Sequence, residues 1–195
     1  MSQKGKITSD ALLWRQLCEG NEAAFAKVYE EYFDLLIDYG CRFTKEEELI
    51  ADAIQDIFLD IYRKRESLGK TDKIKPYLLK SLRRKLFRYL KRNYRFLSDN
   101  LGEDHLFPIT LSVEEHTIET ENHNERTEVL RECIDQLSVR QKEIIYLKYV
   151  DGLSYKEIAE VMNMNYQSVR NLMTRTIAKM RDLLASLILI VTLLS

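Results

Sequence analysis

The chain of 195 residues is long enough for two small domains or one of medium size. Its 45% hydrophobic and 31% charged residues are ordinary for a soluble globular protein, and only 6 Gly and 2 Pro favour helices over turn-rich sheets. The three cysteines lie far apart, which argues against a disulfide framework or a zinc ribbon and indicates a reducing cytoplasm. Residues 1–10 lack the apolar core of a signal peptide, so we expect a cytoplasmic protein.

The net charge of −1 conceals an uneven distribution along the chain. Residues 61–95 hold 14 Lys/Arg against 2 Asp/Glu, a net of +12, whereas the flanking residues 1–60 and 96–132 carry −7 and −8. A basic block this dense predicts a surface that binds phosphate groups. The alternative interpretation is a lysine-rich helix whose charges are only solvated.

Apolar residues recur at helical spacing through the first half of the chain. Gly20 and Asn21 interrupt this pattern and predict a boundary between two helices. A third helix is expected to begin at Thr44, because Glu47 would complete a capping box. After a predicted loop at residues 67–75, Pro76 suits the first turn of a fourth helix that ends near residue 95.

The pattern is lost in an acidic segment and then returns in a second helical region. Ser138 with Gln141 and Ser154 with Glu157 predict two helices that begin with capping boxes. No alternating strand pattern persists, so the predicted fold is all-α, with two helical domains joined by an acidic linker. The predicted bounds are 8–96 for the first domain, 97–128 for the linker, 129–184 for the second domain and 185–195 for an apolar C-terminal tail.

The second domain has the spacing of a helix-turn-helix. A short helix that starts at Ser154 would end at a turn over residues 163–165, where Asn tolerates left-handed backbone. The next helix would begin near Tyr166, with Val169, Leu172, Met173 and Ile177 inward. Its outward face fits the DNA major groove, where Gln and Asn pair with adenine and Arg with guanine. The candidate DNA-binding residues of this helix are Gln167, Ser168, Arg170, Asn171, Thr174 and Arg175. An ordinary helical hairpin with a solvated polar face is the alternative.

The fourth helix carries a leucine stripe on one side, formed by Leu79, Leu82, Leu86 and Leu90. Phe87 and Tyr94 border the stripe, and the opposite side is cationic, with Lys80, Arg84, Lys85, Arg88, Lys91, Arg92 and Arg95. Cations follow the phosphate backbone and aromatic rings stack on unpaired bases, so the helix predicts contact with melting DNA. Its candidate DNA-binding residues are Lys80, Arg83, Arg84, Arg88, Lys91 and Arg92.

Both regions resemble bacterial RNA polymerase sigma factors of the extracytoplasmic-function group. Residues 137–181 resemble sigma region four at Leu137, Arg140-Gln141, Tyr149, Gly152-Leu153-Ser154, Glu157-Ile158-Ala159, Val169 and Arg175. Residues 10–95 resemble region two at Gly20-Asn21, Ala24-Phe25, Tyr29, Asp52, Gln55-Asp56, Phe58 and Tyr77-Leu78. Arg84 and Arg88 depart from the family, which commonly has Asn and Asp there, and this leaves the preferred base of the −10 element open.

The resemblance implies a sigma factor that directs RNA polymerase to specific promoters and assists their melting. Region two would bind polymerase and the −10 element, and region four the −35 element. The implied partners are core RNA polymerase, through its β′ clamp helices and β flap, promoter DNA and an anti-sigma factor, with no small-molecule substrate. The implied polymerase-binding residues are Asp52, Gln55, Asp56 and Phe58.

Two other functions stay open at this point. One is a stand-alone dimeric helix-turn-helix regulator, and the other is a peripheral membrane adaptor that uses the basic helix and the apolar tail. No catalytic residue, cofactor or metal site is predicted, because no phosphate-binding glycine loop or nucleophile elbow is present and His105, His116 and His123 are scattered through the acidic segment. The apolar residues 183–194 are too few for a membrane span, which needs about 20. They either extend the last helix and fold back on the protein or dock a partner.

Overall fold

The computed structural model describes the backbone of residues 3–94 and 130–194 and the side chains of residues 10–92 and 130–185. Regular structure within these ranges is helical, which confirms the predicted all-α class. The chain divides into two compact units. The predicted acidic linker at 97–128, with its three histidines, lies outside the described residues.

The first unit consists of four helices and one short 3-10 turn. Helix α1 spans Gln3–Cys18, α2 spans Glu22–Gly40, α3 spans Glu47–Lys64, the 3-10 turn spans Arg65–Ser67 and α4 spans Ile74–Tyr94. Gly20 has a φ of 87°, and the side chain of Asn21 caps α2 by accepting a hydrogen bond of 3.0 Å from the Ala24 amide. The predicted boundary between the first two helices is therefore confirmed. Pro76 lies in the first turn of α4, as expected.

The predicted start of α3 at Thr44 is wrong, because the helix begins at Glu47 after Glu46. Glu46 makes no side-chain capping bond. The Thr44 hydroxyl instead accepts a hydrogen bond of 3.1 Å from the Glu46 amide, two residues along the chain. Such a local turn competes with a helix cap for the same hydroxyl, so the spacing of Thr and Glu alone did not decide the start.

Side chains from all four helices meet in one apolar core. The leucine stripe of α4, Leu79, Leu82, Leu86 and Leu90, is at most 2% exposed. Each buried leucine contributes about 1.5–3 kcal/mol to folding. Because the core occupies the stripe, these leucines are not available to lipid, and the membrane-adaptor interpretation loses the apolar face it needs. The largest fully buried side chains of this unit are Trp14, Leu17, Leu36, Tyr39, Phe43, Ile50, Ile54, Ile61, Ile74, Leu78 and Leu79.

At Gly40 the packing of α2 against α3 leaves no room for a side chain. A Cβ atom placed there would overlap Cγ2 of Ile50, which is fully buried. We expect Gly40→Ala to lower the free energy of unfolding by about 1–3 kcal/mol, because overpacking outweighs the helix propensity of Ala. Urea denaturation followed by circular dichroism measures this. Gly69→Ala is the matched control, since a Cβ there meets no atom within 4 Å. Equal stability of both variants would contradict the close approach.

The second unit is built from several short helices followed by one long helix. Its first described helix, α5, covers residues 130–135; α6 spans Val139–Ile145, a π-helical turn spans Tyr146–Val150, α7 spans Tyr155–Val161 and α8 spans Tyr166–Leu194. Both predicted capping boxes are confirmed. The amide of Ser138 donates to Gln141 Oε1 at 3.0 Å and that of Ser154 to Glu157 Oε2 at 2.7 Å, and both hydroxyls accept the return bond at 3.4 Å.

The apolar C-terminal stretch continues the last helix, since the backbone of α8 is helical to Leu194. The expected extension of the last helix is confirmed, while folding back on the protein and docking of a partner both stay predictions. The side chains after Ala185 lie outside the described residues. Of the helices described, none combines the length and the hydropathy that a transmembrane segment requires.

Candidate nucleic-acid interface

Helices α7 and α8 form the predicted helix-turn-helix. Asn163 adopts the left-handed conformation, with a φ of 52°, and the Met164 amide closes α7 by donating to the Ala159 carbonyl at 2.9 Å. The side chain of Asn165 then opens α8 by accepting a hydrogen bond of 2.7 Å from the Ser168 amide. Asn165 was expected only as part of the turn, and its capping role follows from its place before the helix. The apolar residues of the two helices that are buried are Ile158, Val161, Met162, Val169 and Met173, each at most 4% exposed.

The outer face of α8 is polar and exposed, as predicted. Gln167, Arg170, Asn171, Thr174 and Arg175 are exposed and Ser168 is half-buried. The side-chain Nε2 of Gln167 donates to Asn171 Oδ1 at 3.1 Å, so these two side chains are already ordered relative to each other. The hydroxyl of Thr174 donates to the Arg170 carbonyl at 3.0 Å, which leaves its methyl group for apolar contact with a base.

The inner face of α8 differs from prediction at one turn. Thr176 is fully buried, while Leu172 and Ile177 are only half-buried. The hydroxyl of Thr176 donates to the Leu172 carbonyl at 2.7 Å, so a polar side chain enters the core with its hydrogen bond satisfied. Hydropathy alone favours the isoleucine, which is why the threonine was missed.

Helix α4 presents a cationic face, formed by the exposed side chains of Arg84, Arg88, Lys91 and Arg92. Lys80 and Arg83 are half-buried beside it. A cleft of about 280 Å³ runs between α3 and α4, and its polar lining includes Asp60, Lys64, Ser81, Arg84, Lys85 and Arg88, so that cations outnumber the single carboxylate. Cations around a cleft of this kind favour phosphate groups.

Phe87, one of the two aromatic residues predicted to stack on bases, contacts two other side chains. The guanidinium of Arg83 lies over the ring of Phe87, 4.2 Å from its centroid, and Phe43 meets the same ring edge-on at 5.8 Å. A base that stacks at this position therefore meets Arg83, whose planar group also stacks on bases. The side chain of Tyr94 lies outside the described side chains.

The polar stripe on α3, defined here as Asp52, Gln55 and Asp56, lies partly as expected. Asp52 and Gln55 are exposed, and the side chain of Asp56 is 46% exposed. The prediction that Phe58 binds polymerase is corrected. Its side chain is 3% exposed, and its ring packs against Phe25 and Tyr29, with ring centroids 5.9 and 4.8 Å apart. It holds α3 against α2 instead of presenting its ring to a partner.

Lys85 is the second correction, because it does not join the cationic face of α4. Its side chain is 16% exposed, and its Nζ lies 3.1 Å from Asp56 Oδ2 and 3.3 Å from Asp60 Oδ2 on α3. The hydroxyl of Tyr89 donates to the same Asp56 oxygen at 2.5 Å. No sequence motif marks Tyr89, although its place one turn after Lys85 puts both on one flank of α4.

These contacts change the acidity of the groups involved. The hydrogen bonds from Tyr89 and Lys85 lower the pKa of the Asp56 carboxyl, and the bond to Asp56 raises the pKa of the Tyr89 hydroxyl. Asp56 is thus held ionised on the surface of α3. Among the described residues no cluster of histidine, cysteine and carboxylate side chains could hold a metal ion.

Two protein families match the chain, the first in its N-terminal half and the second in its C-terminal half. The family described as Sigma-70 region 2 matches residues 28–96, and the family described as Sigma-70, region 4 matches residues 127–180. The extracytoplasmic-function (ECF) RNA polymerase sigma factor SigM of Bacillus subtilis (strain 168) is 24% identical over 159 residues, which cover 80% of this chain and 93% of SigM. RNA polymerase sigma factor SigV of the same strain is 24% identical over 154 residues, covering 78% and 83%.

Solved structures show the same fold. CnrH in complex with the cytosolic domain of CnrY superposes with a TM-score of 0.56 at 19% identity, covering 91% of this chain and 97% of CnrH. The sigma factor RpoE, bound to the anti-sigma factor NepR from Bartonella quintana, superposes with a TM-score of 0.59 at 17% identity, covering 83% and 96%.

The helix-turn-helix and the two matched regions, in this order, define a DNA-binding transcription initiation factor. The chain belongs to the sigma-70 family of RNA polymerase sigma factors, in the extracytoplasmic-function group that its sequence resembles. It directs RNA polymerase to specific promoters and assists promoter melting, and the stand-alone regulator is not favoured.

Proposed function

We propose that the first unit binds core RNA polymerase through the α3 stripe and the −10 element through the cationic face of α4, while α8 recognises the −35 element. The observation that carries this proposal is the arrangement of the first unit. One core holds an acidic stripe on α3 beside a cationic face on α4, so a basic protein partner and DNA phosphates can be bound by adjacent helices.

The α3 stripe suits the β′ clamp helices of polymerase as a partner. Asp52 and Gln55 are exposed, and neither makes a hydrogen bond or ion pair with another described residue. An acidic patch of this kind steers and orients a basic partner. A contact between the second unit and the β flap would then place α8 upstream of the melted region.

On DNA the two units act differently. The outer face of α8 offers Gln167, Arg170 and Asn171 to base edges, which specify sequence. The cationic face of α4 offers four Lys and Arg side chains to the backbone of DNA as it opens. Arg83, stacked on Phe87, is the group placed to contact an unpaired base.

The partners of the chain also include a regulator. CnrH and RpoE are each bound by another protein in their solved structures, in the case of RpoE by an anti-sigma factor. We extend this to an anti-sigma factor for this chain. In this proposal the chain acts in the cytoplasm, next to the chromosome, where it binds its partners and catalyses no reaction itself.

Transcription in vitro with core polymerase and a promoter library tests the proposal. We expect transcripts only when this chain and core polymerase are both present. The transcribed templates should share a −10 and a −35 element. Core polymerase alone is the control. A chain that leaves core polymerase inactive, yet binds one palindromic site as a dimer, would instead be a stand-alone regulator.

A further inference from the structure

A compact polar network joins the helix proposed to bind polymerase to the helix proposed to bind DNA. Asp56 of α3 receives two hydrogen bonds from α4 on one oxygen, Oδ2, from Lys85 at 3.1 Å and from Tyr89 at 2.5 Å. Lys85 also lies 3.3 Å from Asp60, which in turn lies 3.6 Å from Lys64. Two carboxylates on α3 thus share one ammonium group on α4.

The geometry leaves Asp56 able to bind a partner at the same time. A carboxylate accepts about four hydrogen bonds, two on each oxygen. Both bonds from α4 use Oδ2, and Oδ1 accepts none from the described residues. The side chain is 46% exposed, so Oδ1 is open to a docking protein while Oδ2 stays anchored.

Anchoring matters for affinity because ordering a side chain on binding is costly. An aspartate held in one orientation before polymerase arrives avoids this cost. Charge-assisted bonds to Oδ2 also keep the carboxyl ionised, in agreement with its lowered pKa. Lys85, 16% exposed, is mostly shielded from solvent and its ammonium is held at this position.

We infer that Lys85 and Tyr89 are positioning residues for polymerase binding, which act by holding Asp56 in its binding orientation. This inference rests on the proposed function of the α3 stripe. It assigns to α4 a part in polymerase binding that is separate from its contacts with DNA. It also means that a change on α4 can weaken polymerase binding without touching polymerase.

A double-mutant cycle on the full chain tests this, with the dissociation constant for core polymerase measured in the absence of DNA. Tyr89→Phe removes one hydroxyl and keeps the ring. We expect it to weaken binding about fivefold, the scale of one interface side chain losing its order. In an Asp56→Ala background the same change should have almost no effect, because Tyr89 then has nothing to position. Lys85→Met, taken through the same cycle, should behave likewise.

Tyr32→Phe is the matched control, since it removes a hydroxyl that donates to Asp10 at 3.4 Å in the same unit but on neither α3 nor α4, and it should leave the affinity unchanged. Thermal unfolding should show similar midpoints for wild type and Tyr89→Phe, as expected for a half-exposed polar network. If Asp56→Ala weakens binding but Tyr89→Phe does not, or if Tyr89→Phe weakens it equally in both backgrounds, the positioning role is overturned and the α3 stripe stands. If Asp56→Ala and Asp52→Lys both bind like wild type, the proposed function of the stripe itself fails.

Discussion

Replacing Asp52 with Lys is expected to abolish the association with core RNA polymerase and to leave the fold intact. Asp52 is exposed on α3 and makes no hydrogen bond or ion pair with a described residue, so its loss breaks no such bond, although its charge contributes to the raised pKa of Tyr89. Lysine at this position would meet the basic partner that the stripe is proposed to bind. Like charges in an interface cost several kcal/mol, which corresponds to an affinity loss on the order of a hundredfold or more.

Asp52 is a sharper target than Asp56 for this test. Lysine at position 56 would stand against Lys85 and disturb the contact between α3 and α4, so a loss of binding would have two causes. Glu30→Lys is the matched control, because it makes the same change of charge at an exposed position on α2. Co-purification with core polymerase and circular dichroism are measured for both variants. Equal retention of polymerase would exclude Asp52 from the interface.

Much of the fold could be predicted because its signals are local. The capping boxes at Ser138 and Ser154 and the turn at Asn163 involve residues at most five positions apart, and all are present. The leucine stripe of α4 is also local, since one helix period places its members on one side. Thr44 shows the limit of such signals. Its hydroxyl accepts a hydrogen bond from the Glu46 amide and does not cap the helix, and the spacing of Thr and Glu does not reveal this.

The site was predicted less completely because it depends on which helices are neighbours. A helical wheel places Lys85 opposite the leucines of α4, yet α3 packs along that flank and takes up the ammonium group. The role of Tyr89 also depends on the neighbouring helix, because no residue pattern in α4 indicates its bond to Asp56. Phe58 matched a family position, but a matched position does not distinguish a contact residue from one buried beneath the contact.

The double variant Arg84→Ala/Arg88→Ala is expected to leave promoters bound and closed. Both side chains are exposed on α4 and line the cleft between α3 and α4. Cations that follow the opened strand stabilise the melted state more than the duplex complex, so their loss acts chiefly on opening. Two lost contacts to single-stranded phosphate should also flatten the slope of log affinity against log salt by about 1.4.

A change on α8 should fail in a different way. Arg170→Ala removes a side chain proposed to contact a base, so the preference at one position of the −35 element should fall by about 1–3 kcal/mol. Opening of the promoters that still bind should be normal. Arg181→Ala is the control, because it removes the same charge from an exposed position further along α8.

Permanganate footprinting, which detects unpaired thymines, separates these two outcomes. The Arg84→Ala/Arg88→Ala complex should show protection of the promoter without reactive thymines, on every promoter tested. Lys27→Ala/Lys45→Ala removes two exposed cations from the same unit outside α4 and should open promoters like wild type, which excludes a general effect of charge. If the Arg84→Ala/Arg88→Ala variant gives reactive thymines at the wild-type level, the cationic face of α4 does not melt DNA, and its charge must serve binding alone.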